Sequence, residues 1–369
     1  MKVGIVTWHH NPNYGGILQA YALQEVVKSF GYEVEFINYR PELRGIKSKT
    51  IRMIKDLYIS FFHSKLYKGR KLQYKFIDEN LDVGETFFVY EDLCSVADDL
   101  YDVGICGSDQ IWSNNQGFVD PYYYLDFLSE HKRISYAPSI GYNRIDKKLE
   151  KDFIKKVKEI RFLSIREEKG ADIIEDLAGL KAEVVLDPTF LFRKNDWLTK
   201  LENIKDIIPK EDYLLLYLLG NNRNKINYAK KLSEILGVRL IAIETKDTDL
   251  SGVNTVYGDP LDFVNLINNA KYVLTDSFHG LALSINLEKE FGVFKRFDDE
   301  EKISQNSRIY NILNKFNLHH RLVEENDDPG TFLEQSVDYS YVNSILEDER
   351  KKSLFFLSEA IKKIGQENK

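Results

Sequence analysis

The opening of the chain restricts its fold more than any other stretch. An apolar run at residues 2–7 passes into a polar turn, then into a helix-patterned segment at 16–30, then into a second apolar run at 32–38. Strands joined through a helix lie parallel, and parallel sheets carry helices on both faces. The alternation continues. Residues 101–106, 132–137, 162–165 and 183–186 read as further strands of a first α/β half, each ending in a polar turn. Residues 190–209 contain no clean strand, and the pattern then restarts with strands at 213–219, 239–244, 271–275 and 290–294 and helices at 225–236, 261–268 and 309–316. A chain of 369 residues exceeds one ordinary core. Two Rossmann-like α/β units are therefore expected, residues 1–188 and 189–340, with a closing helix in 341–369.

Charge and cysteine usage remove several function classes. A net charge of −7 lacks the cationic surface that displaces counterions from a phosphate backbone, so no nucleic-acid partner is expected. Cys94 and Cys106 form no CxxC pair and stand near no histidine cluster, which argues for a reducing cytoplasm and against a structural metal or disulfide framework. The first residues enter a strand pattern without a signal-peptide layout, and no apolar run is long enough to span a bilayer. One window departs from this acidic background. Residues 44–75 hold ten Lys or Arg and a single acid, Asp56, interleaved with Ile51, Met53, Ile54, Leu57 and Phe61. Two readings fit a basic helical insert at 44–80: contact with an anionic membrane surface, or a solvated helical hairpin.

The candidate chemistry sits where strands end. The first turn, Trp8 to Gly16, lacks the GxGxxG spacing of a dinucleotide site, so no such cofactor is expected. Its paired glycines, Gly15 and Gly16, either make a tight turn or let a ligand approach the backbone, with Asn13 and Tyr14 facing that space. The turn after 101–106 carries Asp109 and Gln110, which bind hydroxyls, and Trp112, which offers a stacking face suited to a sugar. Arg166 stands at the exit of 162–165, where its guanidinium either grips a carboxylate or phosphate or pairs with Glu167 or Glu168. In Thr275-Asp276-Ser277-Phe278-His279-Gly280, an ionisable imidazole stands at a strand-to-helix turn whose free N–H groups favour anions. Such a His either performs proton transfer or is a solvated first-turn residue behind a Ser277 or Asp276 cap.

Taken together, NPNYGGILQAYAL (11–23), GSDQIW (107–112), SYAPSIG (135–141), SIREEKG (164–170), LDPTFL (186–191), TDSFHG (275–280) and NSRI (306–309) resemble the successive motifs of the polysaccharide pyruvyltransferase family. The resemblance runs from residue 2 to about 318. It implies a GT-B-like fold, two Rossmann-like domains facing a central cleft, with the acceptor on the first and the donor on the second. It implies transfer of a pyruvyl group from phosphoenolpyruvate to a hexose of a cell-surface polysaccharide such as a capsule or exopolysaccharide, commonly as a cyclic ketal. The acceptor is a glycan, with an undecaprenyl-linked form and the inner membrane face left open. Catalytic positions fall on His279 and Arg166. Donor binding falls on Arg166, Ser277, His279, Gly280 and Arg308, and acceptor binding on Asn13, Tyr14, Gly15, Asp109, Gln110 and Trp112. No cofactor and no metal is required. A nucleotide-sugar glycosyltransferase on the same fold and a non-catalytic glycan-binding protein are the alternatives.

Overall fold

The computed structural model describes residues 1–43, 59, 63–113, 117–202, 207–246, 248–297 and 305–367. Two parallel sheets organise it. The first runs β3-β2-β1-β4-β5, with β1 Lys2–Val6, β2 Glu33–Tyr39, β3 Val83–Phe87, β4 Val103–Cys106 and β5 Arg133–Ser135. A short pair, β6 Ser164–Ile165 and β7 Glu183–Val184, extends its edge through a bridge between Ile134 and Phe162. The second sheet runs β10-β9-β8-β11-β12-β13, with β8 Tyr213–Tyr217, β9 Arg239–Ile243, β10 Asn254–Val256, β11 Tyr272–Thr275, β12 Glu290–Phe294 and β13 Leu322–Val323. Both orders are those of a doubly wound sheet, so each has a point where strand order reverses, between β1 and β4 and between β8 and β11.

Burial explains why these segments are strands. Val3–Val6 and all of Tyr213–Tyr217 are buried, as parallel strands covered on both faces must be. The helix Tyr14–Ser29 departs from the one-sided pattern expected of it. It is buried nearly all round, because one side packs on the first sheet and the other meets the second domain. Its buried amides donate inside, Gln19 Nε2 to Thr7 Oγ1 at 2.9 Å and Gln24 Nε2 to Asn80 O at 2.9 Å, while Gln19 Oε1 is left without a partner.

Between the sheets, residues 188–201 form two helices, Pro188–Leu191 and Lys194–Leu201, which join both halves into one continuous apolar core. The C-terminal helix Tyr339–Glu367 returns to the first sheet: Arg350 Nε donates to Phe190 O at 2.7 Å, and Ser353 Oγ accepts from Leu186 N at 2.9 Å. In the basic window, residues 44–58 and 60–62 lie outside the described residues. The helix Ser64–Asn80 that follows buries Gln73, Phe76 and Ile77 and donates from Lys65 Nζ to Thr255 Oγ1 at 2.8 Å, so it bridges to the second domain.

Candidate active site

The two reversal points face each other across one cleft. Trp8, Asn13, Asp109 and Gln110 come from the turns after β1 and β4; Leu219, Asp276, Ser277, Phe278 and His279 come from those after β8 and β11. Arg296, Asn306 and Arg308, which follow β12, close the same pocket. Ligands of open α/β sheets bind at such points, because flanking loops diverge there and leave a crevice.

On the second domain, β11 delivers a short turn into the helix Phe278–Asn286. Ser277 caps it, its Oγ accepting from Gly280 N at 3.3 Å, and Asp276 ties the two turns together by accepting from Leu219 N at 2.7 Å. Gly280, in the first turn of this helix, packs against the strand end, where an added Cβ would stand 2.5 Å from Thr275 Oγ1. His279 lies in the first helical turn and is buried, not solvated. Its Nε2 has no hydrogen-bond partner and stands 3.6 Å from Asp187 Oδ2.

Asp187 is the hub of the wall behind His279. Oδ2 accepts from Arg166 Nη1 and from Ser108 Oγ, both at 2.8 Å, while Oδ1 accepts from Thr189 N at 3.0 Å and Thr189 Oγ1 at 2.7 Å. Burial pushes this carboxyl up, but the facing His279, the Arg166 guanidinium and the Thr189 N–H outweigh it and hold it well below the usual carboxylate range. Arg166 therefore takes its ion pair from Asp187; Glu167 Oε2 is 3.9 Å from its Nε. The exit toward open cleft expected for Arg166 is corrected. Its guanidinium lies behind the Phe278 ring, 4.2 Å from the centroid, with Nε and Nη2 buried and unpartnered. Arg308 lies 5.8 Å from the same centroid, also with an unpartnered Nε, and burial and then the Arg166 charge lower it to about 10 against the pull of Asp109 and Glu167.

The first-domain residues divide. Asp109 and Gln110 line the pocket, and Asp109 holds φ at 73°, an uncommon conformation for a side chain other than glycine, braced by its own Oδ1 accepting from Gln110 N at 2.9 Å. Asn13 lines it too while capping the helix Tyr14–Ser29 through bonds from Gly15 N and Gly16 N. Three expectations need correction. Trp112 is packed, 2% exposed, stacked on Tyr124 at 4.9 Å and donating to Tyr123 O, so it offers only its margin to the neighbouring aromatic pocket that it helps to line. Tyr14 is committed across the domains, its hydroxyl donating to Gly258 O at 3.0 Å and its ring stacking on Phe263. Gly15 seats His279, since a Cβ there would lie 2.1 Å from Nδ1.

Sequence patterns assign Asp187, Ser108 and Trp8 no role, and Glu167 only that of a candidate ion-pair partner for Arg166. Glu167 pins the SYAPSIG turn, accepting from Ser139 Oγ, Ile140 N and Gly141 N, and the sole hint was an acid flanked by strand and helix. For Asp187 the hint was an Asp-Pro at a strand exit. Among the described residues no cluster of three metal-binding side chains occurs, and no helix is long and apolar enough to cross a membrane.

Comparison with known proteins agrees with this architecture. The family model for polysaccharide pyruvyl transferase matches residues 13–296. No curated protein matches the chain. Among solved structures, a putative UDP-N-acetylglucosamine 2-epimerase from Listeria monocytogenes is 10% identical, with 97% of this chain and 90% of that one covered at a TM-score of 0.52. The UDP-GlcNAc 2-epimerase of Neisseria meningitidis, bound to UDP-GlcNAc, is 12% identical with 99% of both chains covered at 0.50. The glycosyltransferase SnogD of Streptomyces nogalater is 10% identical with 99% of both covered at 0.46. At these identities the likeness to the two epimerases is one of fold alone, two parallel α/β sheets.

Proposed function

Since the chain belongs to the polysaccharide pyruvyl transferase family, we propose that it moves the pyruvyl group of phosphoenolpyruvate onto a hexose of a cell-surface polysaccharide or its lipid-linked precursor, closing a cyclic ketal. The observation that carries this reading is the set of unpartnered buried N–H groups, Nε and Nη2 of Arg166 and Nε of Arg308, on the two guanidiniums that pack against Phe278. A buried donor without a partner costs about 1–3 kcal/mol, and a small polyanion relieves that cost. Phosphoenolpyruvate presents a carboxylate and a phosphate, and Arg308, Arg296, Ser277 and the start of the Phe278–Asn286 helix supply its remaining contacts. Contact of the donor with Arg166 requires the Phe278 ring, 4.2 Å from its guanidinium, to move.

His279 then gives a proton to the methylene carbon, which becomes the methyl group. A hydroxyl oxygen adds at the neighbouring carbon, phosphate leaves with its bonding electrons, and the second hydroxyl closes the ring. One hydroxyl proton replaces the one given to carbon, and the other leaves with phosphate. Asp109, Gln110 and Asn13 orient the acceptor. An aromatic bay beside them, lined by Trp8, Phe118, Tyr123 and Tyr124 and sharing Trp8 and Gln110 with the anion pocket, suits a pyranose ring.

A thermal-shift comparison tests the donor. Phosphoenolpyruvate should raise Tm by mass action and UDP-sugars should not; the reverse result makes the protein a nucleotide-sugar enzyme. His279→Gln should keep that shift while phosphate release falls at least about a hundredfold. Sugar binding without phosphate release would instead indicate a glycan-binding protein. Residues 44–75 bring the enzyme to a lipid-linked acceptor at the inner membrane face, so replacing Lys47, Lys49, Arg52 and Lys55 with Gln should weaken adhesion to anionic vesicles.

A further inference from the structure

We infer that Asp187 positions His279, holding one ring proton on Nε2 so that Nδ1 is the nitrogen that exchanges a proton with the substrate. This rests on the reading of His279 as the acid above. The LDPTFL segment has no other assigned role, yet its Asp187 side chain is the most heavily anchored acid of the wall. Both oxygens are fixed, Oδ1 by Thr189 and Oδ2 by Ser108 and Arg166. A carboxylate held by four bonds cannot rotate away, and a further donor must share Oδ2 with Arg166 and Ser108. That donor is Nε2 of His279, buried, 3.6 Å away and without a hydrogen-bond partner. A normal N–H···O bond is about 0.7 Å shorter, a distance one small ring rotation closes.

The opposite side of the ring has the complementary character. Nδ1 packs beside Gly15, whose missing Cβ makes room for the ring, since a Cβ would sit 2.1 Å from it, and His279 lines the cleft pocket. An ionised carboxylate behind one nitrogen fixes the tautomer and leaves the other free to exchange, because a neutral imidazole carries a single N–H and the carboxylate accepts it. For the reaction the ring takes up a second proton on Nδ1, and this Nδ1–H protonates the methylene carbon while Nε2–H stays bonded to Asp187. The acceptor hydroxyl that adds next returns a proton to Nδ1, and the ring is restored with no other proton source. A simple Arg166–Asp187 ion pair would need no imidazole at all, and that difference is measurable.

The test uses the full chain labelled with 15N-histidine. Two-bond proton–nitrogen correlation spectra report the tautomer, and the His279 signals are those missing from His279→Gln. In the wild type the neutral ring should carry its proton on Nε2. In Asp187→Asn that preference should be lost, with phosphate release from phosphoenolpyruvate lowered about 10²–10⁴-fold. An unchanged Nε2–H tautomer in Asp187→Asn would reduce Asp187 to a structural ion-pair residue. If that variant does not fold, Ser108→Ala decides. Removing one donor from Oδ2 should strengthen the bond from His279, so the Nε2–H proton resonance should move downfield; an unmoved resonance overturns the inference. Wild-type protein with the Nε2–H tautomer but no phosphate release would retire the proposed reaction while the Asp187–His279 coupling stands.

Discussion

Replacing Gly15 by alanine perturbs the site through one methyl group. Gly15 lies in the first turn of the Tyr14–Ser29 helix at negative φ, so alanine meets no backbone strain and gains up to about 1 kcal/mol of helix preference. The methyl carbon, however, would stand 2.1 Å from His279 Nδ1, 2.4 Å from Cγ and 2.7 Å from Cβ. Two ring atoms and the Cβ of one buried side chain inside contact distance leave no small adjustment, and the imidazole must move. Overpacking of this kind costs about 1–3 kcal/mol, so the net loss is up to about 2 kcal/mol. At roughly 2–4 °C per kcal/mol for domains of this size, the melting temperature should fall by less than about 8 °C, leaving folded protein. Turnover should suffer far more, by about 10²–10⁴, because the displaced ring no longer aligns with either Asp187 or the donor. Phosphate release at saturating phosphoenolpyruvate, beside a circular-dichroism melt, measures both. Gly16→Ala is the control: its nearest atoms, Asp109 Oδ2 and Trp8 O, are 3.3 Å away, and only a small loss is expected. Turnover of Gly15→Ala within about threefold of wild type would refute the argument that His279 depends on this glycine.

Trp112→Ala should destabilise by about 3–5 kcal/mol in denaturant unfolding, since a fully packed indole is removed. Asp262 gives a pH signature: burial raises its pKa to about 6 from an unfolded value near 3.9, so the folded state binds the extra proton. Its contribution is fully present below about pH 4 and lost as pH rises through about 6, and Asp262→Asn should flatten the stability profile across that window. An unchanged slope would show that Asp262 titrates as in the unfolded chain.

Much of the frame was legible because it rests on local patterns. Runs such as Tyr213–Tyr217 are apolar enough to be buried strands, and the polar turn after each marks the cleft in the sequence itself. Asp109, Ser277 and His279 share one cleft because strand order reverses at their turns, which a sequence read strand by strand locates only in part. What was not legible depends on partners far along the chain. Trp112 reads as a stacking platform until Tyr124 covers it, and Tyr14 reads as a cleft residue until Gly258, 244 residues away, takes its hydroxyl. Asp187 was missed for the same reason. An Asp-Pro at a strand end is an ordinary helix cap, and only the convergence of Ser108, Arg166 and His279 from separate motifs makes it a hub. Gly15 was assigned to a ligand when its missing side chain makes room for an imidazole.

The central claim is a proton delivered to carbon as a pyruvyl group is transferred, and one mass measurement addresses both parts. The enzyme is incubated with phosphoenolpyruvate and a panel of galactosides and mannosides in water and in deuterium oxide, and products are returned to water before analysis. An acceptor should gain about 70 Da in water and about 71 Da in deuterium oxide, the added unit lying in the new methyl group because its third hydrogen comes from an exchangeable acid. A gain without the deuterium would contradict protonation by His279, and a gain of about 162 Da from a UDP-hexose instead would contradict pyruvyl transfer itself.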